Sequence, residues 1–264
     1  MCIYSADSLA RNIHNWKAIS ASEYVQRIIL EGVRVPFSSK PEPFILRNRI
    51  IGLRESSFIT EEVNTLSRLG YISKTPDRSF CVSPISCVPK KGGKLRLITD
   101  LRVLNGHCSA PKFSNEGIDN VANIIQLSDS MVTLDIKNGF FHIPIHKDFR
   151  TYFGFQWQGA FYVWNVLPFG WNCSPYFFSK TLRPVVAYLR SCNIRMSLFV
   201  DDFLICADNS KIQDHKHTVI QTLLKLGLHI NWDKSELIPS TSRLYIGFRI
   251  IRHKGRYTDH QGPW

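Results

Sequence analysis

Residues 197–206 read Ser-Leu-Phe-Val-Asp-Asp-Phe-Leu-Ile-Cys, and they place two adjacent carboxylates, Asp201 and Asp202, inside an otherwise apolar run. Apolar runs rich in Phe, Val and Ile are typical of buried β-strands. An ionised Asp is rarely buried unless it is paired or holds a metal ion. We therefore expect a β-hairpin that carries both Asp residues at its tip and buries the two flanking strands.

The Asp201–Asp202 pair has two interpretations. Asp tolerates turn geometry, so the first interpretation is a turn without a further role. Two carboxylates about 4 Å apart, however, repel each other by about 4 kcal/mol at an effective dielectric constant of about 20. Asn-Gly or Asp-Gly would form the turn without this repulsion. A bound divalent cation would remove the repulsion, and the second interpretation is therefore a cation site.

The composition indicates a folded protein with a polyanionic partner. Of the 264 residues, 44% are hydrophobic and 12% are aromatic, which is typical of an enzyme-like protein and excludes a disordered tail. Lys and Arg outnumber Asp and Glu by 33 to 21, which gives a net charge of +12. A basic excess of this size predicts nucleic acid as the first candidate partner and an acidic membrane surface as the second.

The cysteine spacing and the hydropathy of the sequence indicate the cellular compartment. The seven cysteines lack the spacing of a zinc site, and we expect reduced thiols. The sequence shows neither a signal peptide nor an apolar run long enough to cross a bilayer. These features predict an intracellular protein, and they do not decide between cytoplasm and nucleus.

A basic hairpin is predicted at residues 86–100, where strand-forming residues flank a Gly-Gly turn. Lys90 precedes the turn, and Arg96 lies on the returning strand. Exposed lysines are common at hairpin tips, so one interpretation is a solvated surface. The functional alternative is a cationic finger that closes over phosphate groups, with Arg supplying a planar donor fork.

A third carboxylate, Asp135, lies near the end of a strand predicted at residues 131–136. From there the predicted order is strand, helix, strand-turn-strand, helix and strand. The last strands are expected at residues 228–234 and 244–250. This order predicts an α+β fold in which an antiparallel sheet carries helices.

Three carboxylates and a basic hairpin suit nucleotidyl transfer. Two divalent ions about 3.5–4 Å apart neutralise the transferring phosphate and activate the attacking oxygen. Mg²⁺ prefers hard oxygen ligands and keeps water or substrate phosphates in its shell. Asp135, Asp201 and Asp202 would supply such ligands, while Lys90 and Arg96 would bind the outgoing phosphates. The sequence contains no P-loop, GxGxxG motif, zinc-deaminase signature or Ser-His-Asp elbow, which removes common alternatives.

Over roughly residues 75–250 the chain resembles the reverse transcriptase domain, whose motifs it carries in the same order. Residues 199–202 resemble the Tyr-x-Asp-Asp box, and residues 167–170 resemble the loop that contacts the nucleotide and the template. Residues 245–248 resemble the primer grip. The resemblance implies a right-hand polymerase fold with fingers and palm (an antiparallel sheet plus helices) and a thumb that is largely missing.

The resemblance also implies a division of the chain. It assigns residues 1–55 to an N-terminal extension, 56–252 to the reverse transcriptase domain and 253–264 to a truncated start of the thumb or connection. Within the domain, the fingers would comprise about 56–109 and 143–173, and the palm about 110–142 and 174–252. Because the chain ends soon after the primer grip, we expect weak primer holding and a fragment of a polyprotein or a decayed element copy.

Individual residues gain roles from the same resemblance. The catalytic residues would be Asp135, Asp201, Asp202 and Lys234, the last as proton donor to pyrophosphate. Two Mg²⁺ ions, or Mn²⁺ as a substitute, would be held by Asp135, Asp201, Asp202 and the backbone carbonyl of Ile136. The nucleotide would contact Lys90, Arg96, Ile136, Asn138, Gly139, Phe140, Phe169 and Gly170. The primer grip would contain Tyr245, Gly247 and Phe248.

Phe140 resembles the steric-gate aromatic of the family, which stacks under the sugar and rejects a 2′-hydroxyl. The implied activity is an RNA-directed DNA polymerase, in which a DNA or RNA primer 3′-hydroxyl attacks the α-phosphate of a deoxynucleotide on an RNA template. The chain departs from the family pattern at two places. Phe199 stands where Tyr is usual, and Asn138-Gly139 stands where Asp-Ala is usual.

Within the family, the best resemblance is to DIRS-type retrotransposons, which pair the polymerase with a tyrosine recombinase. The stretches that carry it are residues 13–16, 35–37, 141–146 and 167–171, and Ty3-type elements and pararetroviruses share parts of them. RNase H and tyrosine recombinase modules are then expected in the full-length polyprotein. Two alternatives stay open: an RNA-dependent RNA polymerase, which Phe140 disfavours, and a nucleic-acid-binding remnant without turnover.

Overall fold

The structure is a computed structural model that describes residues 5–89, 93 and 95–251 and the backbone of 256–259. Its α-helices are α1 (Ser8–Arg11), α2 (Ile13–Ala18), α3 (Glu23–Glu31), α4 (Leu53–Arg68), α5 (Arg102–Gly106), α6 (Ile118–Ile124), α7 (Ser174–Ser191) and α8 (Ile212–Lys225). Its strands are β1 (Phe44–Ile45), β2 (Ile72–Thr75), β3 (Cys81–Val82), β4 (Ile85–Pro89), β5 (Leu95–Thr99), β6 (Asp129–Asp135), β7 (Gly154–Trp157), β8 (Ala160–Trp164), β9 (Arg195–Phe199), β10 (Asp202–Asp208), β11 (Glu236–Ser240), β12 (Ser242–Tyr245), β13 (Phe248–Ile251) and β14 (Arg256–Asp259). Two 3₁₀-helices cover Gly139–His142 and Lys147–Tyr152.

The chain divides into two units, and each unit is assembled from stretches that are separate in sequence. The first unit comprises residues 1–11, 24–112 and 140–178, and the second comprises residues 12–23, 113–139 and 179–264. No helix in the described part of the chain is both long and apolar enough to cross a membrane. The cysteines in that part are free thiols.

The first unit is built on a five-stranded sheet in the order β1-β3-β7-β8-β2. The pairs β1–β3 and β3–β7 are parallel, and the pairs β7–β8 and β8–β2 are antiparallel. Gly154 is the first residue of β7. Only Gly fits there, because a Cβ would lie 2.6 Å from the carbonyl oxygen of Cys81. Strands β4 and β5 form a separate antiparallel hairpin, which confirms the hairpin predicted at residues 86–100.

The second unit is built on a four-stranded antiparallel sheet in the order β11-β6-β10-β9. A three-stranded sheet, β12-β13-β14, belongs to the same unit. An apolar cluster joins the two sheets: it contains Met131 of β6, Leu204 of β10, and Tyr245 and Ile250 of β12 and β13. Trp16 of α2 is fully buried, and its indole N–H donates to the carbonyl of Leu226 at 2.9 Å.

The predicted α+β class with antiparallel sheets is confirmed, and three local predictions are wrong. Residues 228–234 form no strand, and within them only an isolated bridge joins Ile230 to Ile136. The apolar run at residues 244–250 is a hairpin, because Ile246 and Gly247 both adopt positive φ (46° and 86°) and reverse the chain between β12 and β13. At the double-Asp hairpin, the turn residues are Val200 and Asp201, and Asp202 already pairs in the sheet.

A buried ion pair stabilises the end of the second unit's main sheet. Asp129, at the start of β6, is 0% exposed, and its two carboxylate oxygens accept from both terminal nitrogens of Arg195 at 2.5 Å. The same guanidinium donates to the carbonyl of Ile124, the last residue of α6, at 2.6 Å. The bidentate geometry compensates the buried charge and connects the helix to two strands.

We expect the substitution Arg195→Ala to lower the free energy of unfolding by about 3–5 kcal/mol, because it leaves the buried Asp129 carboxylate without its counter-ion. The matched control is Arg11→Ala, which breaks an exposed pair with Asp7 (2.8 Å) and should cost about 1 kcal/mol or less. Urea unfolding measures both. Equal effects of the two substitutions would contradict the assigned role of Arg195.

Candidate active site

The site is centred on two carboxylates that the main sheet of the second unit places opposite each other. Asp135 is the last residue of β6, Asp202 is the first residue of β10, and the two are direct partners in the antiparallel register. Directly opposite residues have Cβ atoms about 4.5–5.5 Å apart and side chains on the same face. The structure therefore brings Asp135 and Asp202 together, although they are far apart in sequence.

The turn that precedes Asp202 is strained and is held by its backbone. Val200 adopts φ = 56°, which is unfavourable for a β-branched residue and costs about 1–3 kcal/mol. The carbonyl of Asp201 accepts from the N–H of Ile136 at 3.0 Å. The carbonyl of Asp202 accepts from the hydroxyl of Tyr245 at 3.0 Å. Both carbonyls of the Asp pair therefore have defined partners.

A loop at residues 229–235, which the sequence did not predict, holds the backbone around Asp135. The N–H of Asp135 donates to the hydroxyl of Ser235 (3.1 Å), and its carbonyl accepts from the N–H of Asn231 (2.8 Å). The N–H of Lys137 donates to the carbonyl of His229 at 2.8 Å. The segment predicted as a strand, together with Ser235, thus holds the end of β6 through hydrogen bonds to its backbone. No motif in the sequence indicates Asn231 or Ser235 for this role.

Lys234 lies beside the carboxylates. Its ammonium nitrogen is 3.5 Å from Oδ2 of Asp135. The lysine side chain is 67% exposed, whereas that of Asp135 is 11% exposed. Water screens such a half-exposed pair, so the contact neutralises the acidic pair only in part.

Burial and the neighbouring carboxylates raise the proton affinity of Asp202. Burial is the main reason that the pKa of Asp202 rises from 3.8 to about 7, and the charges of Asp201 and Asp135 add to it. A hydrogen bond with Asp135 acts in the same direction, and the charge of Lys234 opposes it. At neutral pH the site therefore favours a proton or a cation next to Asp202.

The donor set fits a magnesium ion in its chemistry. Among the described residues, which include Asp135, Asp201 and Asp202, no three or more His, Cys, Asp or Glu side chains form a group that could hold a metal ion. Mg²⁺ does not require such a group, because it is usually bound by one or two carboxylates together with water and substrate phosphates. The Asp135–Asp202 pair, with Asp201 near enough to raise the pKa of Asp202, supplies this minimal set of hard oxygen ligands.

The first unit brings together three of the residues predicted to bind the nucleotide. The ring of Phe140 lies 5.2 Å from that of Phe169, and the guanidinium carbon of Arg96 lies 5.8 Å from the Phe169 ring centre. The sequence did not indicate Phe178, whose ring packs edge-on against Phe140 at 5.7 Å. Lys90 lies outside the described residues.

Asn105 fixes the loop that contains Gly170. Its side-chain amide donates to the carbonyl of Gly170 at 2.9 Å, and its side-chain oxygen accepts from the N–H of Asn172 at 3.0 Å. Gly170 is required here because φ is 95° and a Cβ would lie 3.0 Å from the carbonyl oxygen of Thr99. Asn105, which the resemblance places in the continuation of the fingers motif, thus holds the loop at residues 167–170 through two hydrogen bonds.

The remaining predicted residues lie in the second unit. Asn138 is exposed with φ = 53°, a conformation that Asn tolerates, and Gly139 is buried. Ile136 is 1% exposed. Tyr245 is buried and pairs with Phe248 across the hairpin that Ile246 and Gly247 close.

Sequence comparisons identify the family to which the chain is similar. The family described as "Reverse transcriptase (RNA-dependent DNA polymerase)" matches residues 88–250. The Pol polyprotein of equine infectious anemia virus (isolate CL22) is 32% identical over 202 residues, which cover 72% of this chain and 17% of the polyprotein. The Gag-Pol polyprotein of bovine immunodeficiency virus (strain R29) is 28% identical over 213 residues, which cover 77% of this chain and 14% of that one. This chain thus spans only a small part of the length of these relatives.

Solved structures share the fold. The foamy viral protease-reverse transcriptase in complex with double-stranded DNA matches with a TM-score of 0.71 at 22% identity, covering 93% of this chain and 46% of that one. The native protease-reverse transcriptase of prototype foamy virus matches with a TM-score of 0.69 at 25% identity, covering 88% of this chain and 30% of that one. The polymerase fold predicted from the motifs is thereby confirmed. With the match over residues 88–250 and the shared identity to Pol polyproteins, the chain belongs to the reverse transcriptase family.

Proposed function

We propose that this chain is the polymerase part of an RNA-directed DNA polymerase, which adds deoxynucleotides to a primer 3′-hydroxyl and releases pyrophosphate. The single observation that carries the proposal is the register of β6 and β10, which sets Asp135 opposite Asp202 in a chain of the reverse transcriptase family. Like charges at this position favour a divalent cation, and nucleotidyl transfer needs one beside the reacting phosphate.

The residues of the second unit have distinct roles in the reaction. Asp135, Asp201 and Asp202 would hold two Mg²⁺ ions, together with the backbone carbonyl of Ile136. When bound, such ions neutralise charge on the transferring phosphate and lower the pKa of the attacking hydroxyl. Lys234, whose side-chain nitrogen lies 3.5 Å from Oδ2 of Asp135, is our candidate proton donor to the leaving pyrophosphate.

The residues of the first unit select and hold the nucleotide. Phe140, packed against Phe169 and Phe178, presents a supported ring to the sugar and excludes a 2′-hydroxyl. Arg96, held near the face of Phe169, supplies a guanidinium for the triphosphate, and Lys90 would add a second cation. Gly170 would approach the nucleotide through its backbone, as would Asn138 and Gly139 of the second unit.

The net charge and the relatives support nucleic acid as the partner. The net charge of +12 suits a phosphate backbone, and one foamy viral protease-reverse transcriptase has been solved with an RNA/DNA hybrid. We propose an RNA template and a DNA or RNA primer, with Tyr245, Gly247 and Phe248 in the primer grip. In this scheme the first unit contains the fingers segments and the second contains the palm segments.

The subfamily is also a proposal. The stretches at residues 13–16, 35–37, 141–146 and 167–171 favour a DIRS-type retrotransposon, and the full-length polyprotein would then carry RNase H and tyrosine recombinase modules. Sequencing the source locus tests this directly. A tyrosine recombinase gene beside the polymerase supports the assignment, and an integrase gene in its place contradicts it.

The substitution Asp202→Asn should reduce Mg²⁺-dependent primer extension on an RNA template by about 1,000-fold, because a lost cation ligand removes several kcal/mol of transition-state stabilisation. The control is Asp214→Asn, which makes the same charge change at an exposed position of α8 and should extend primers normally. Equal extension by the wild type and Asp202→Asn would refute the polymerase proposal. If neither chain extends primers and the wild type binds RNA in a salt-sensitive manner, the binding-remnant alternative is supported.

Asp202→Asn should also change the pH dependence of stability. Because the pKa of Asp202 rises from 3.8 to about 7 on folding, the folded wild type binds this proton more tightly and loses stability as the pH rises through that range. In EDTA we expect the variant to be more stable by about 1–2 kcal/mol at pH 8, less than the full shift implies because Asp202 is partly exposed. At pH 3, below the unfolded value of 3.8, the two should be equal. Urea unfolding at both pH values measures this, and a pH-independent difference would contradict it.

Phe140→Ala should raise the use of ribonucleotides relative to deoxynucleotides by about tenfold or more, because it removes the ring that excludes the 2′-hydroxyl. Phe140→Tyr keeps the ring and is the matched control, with unchanged sugar selectivity. Single-nucleotide extension with each nucleotide type gives both ratios. If Phe140→Ala kept the selectivity of the wild type, Phe140 would not be the gate.

A further inference from the structure

Tyr245 makes a contact that its proposed place in the primer grip does not require. Its ring is 3% exposed and belongs to the apolar cluster of the second unit. Its hydroxyl donates to the main-chain carbonyl of Asp202 at 3.0 Å. Because β12 and β10 belong to different sheets, this hydrogen bond fastens one sheet to the catalytic end of the other.

The carbonyl that Tyr245 holds belongs to a segment that would not keep its conformation unaided. Val200 has φ = 56°, and strained residues of this kind persist only where the surroundings determine them. On one side, the N–H of Ile136 fixes the carbonyl of Asp201 at 3.0 Å. Tyr245 donates the corresponding hydrogen bond to the carbonyl of Asp202. The two Asp carbonyls are therefore held by two donors that are far apart in the sequence.

The hydroxyl is not needed for packing. Phe would fill the same apolar site without a polar group, whereas a buried Tyr hydroxyl needs a partner. Ile246, which follows Tyr245, packs against the same cluster as Phe199, which precedes the strained turn.

We infer that Tyr245 is a positioning residue, whose hydroxyl fixes the backbone of Asp202 and thereby aims the carboxylate that binds the catalytic cation. The effect on turnover rests on the proposed polymerase function, and the effect on cation binding does not. Loss of one such buried hydrogen bond weakens an interaction by about 2- to 12-fold. Tyr245→Phe should therefore reduce cation affinity and kcat by about that factor and leave KM for the deoxynucleotide unchanged.

The experiment compares the wild type, Tyr245→Phe and Tyr188→Phe. Tyr188 lies on α7 in the same unit and is 37% exposed, so its variant controls for the loss of any Tyr hydroxyl. Titration with Mn²⁺ alone, followed by electron paramagnetic resonance at low temperature, gives the cation affinity of each chain. Single-nucleotide primer extension gives kcat and KM.

A several-fold lower Mn²⁺ affinity and kcat in Tyr245→Phe, with KM unchanged and Tyr188→Phe like the wild type, supports the inference. Wild-type values for Tyr245→Phe in the Mn²⁺ titration overturn it. A rise in KM alone also overturns it, because that result assigns Tyr245 to substrate binding. If the wild type fails to extend primers, the polymerase proposal fails for this chain, and the Mn²⁺ titration still decides the role of Tyr245.

Discussion

The antiparallel register of β6 and β10 is the constraint on which the second unit depends. Seven residue pairs run from Asp202↔Asp135 to Asp208↔Asp129, and the residues between these ends are buried almost throughout. A slip by one residue would turn every side chain of β10 to the opposite face. It would therefore move both Leu204 out of its cluster and Asp202 away from Asp135. Burial of the apolar residues in the middle of the two strands thus fixes the register, and the register in turn places Asp202 opposite Asp135.

The acidic residues at the two ends of the β6–β10 pair have different counter-charges. At one end Asp129 is matched by Arg195, with two hydrogen bonds of 2.5 Å and a supporting bond to a helix terminus. At the other end Asp135 has Lys234 at 3.5 Å, on a side chain that is largely exposed. The first arrangement neutralises a buried charge permanently, which is what stability requires. The second leaves negative charge that an exchangeable cation can satisfy, which is what a reaction cycle requires.

The sequence was informative where chemistry and pattern coincide in a few adjacent residues. A double Asp within an apolar run predicted a hairpin, and Asp135 at the end of another such run predicted its partner strand. The pattern failed where the fold depends on single hydrogen bonds. Nothing in residues 228–235 shows that Asn231 and Ser235 will bond to the backbone of Asp135 instead of joining a sheet. Likewise, the apolar run at 244–250 conceals a turn, because Ile246 is a residue that strands favour and left-handed turns disfavour.

Both hairpins beside the acidic pair place a β-branched residue at positive φ, Val200 at 56° and Ile246 at 46°. Asn or Gly would relieve strain at either position. Ile246, however, is partly buried against the apolar cluster that includes Tyr245, and full burial of an Ile side chain stabilises a core by about 1.5–3 kcal/mol. The part of this energy that Ile246 gains offsets some of the strain of about 1–3 kcal/mol. The side chain that strains the turn thus also anchors it to the core, and a relaxed glycine turn would lose that anchor. The same reasoning explains why the carbonyls of Asp201 and Asp202 are each held by a separate donor: strain is tolerated beside the acidic pair when packing and hydrogen bonds leave the backbone a single conformation.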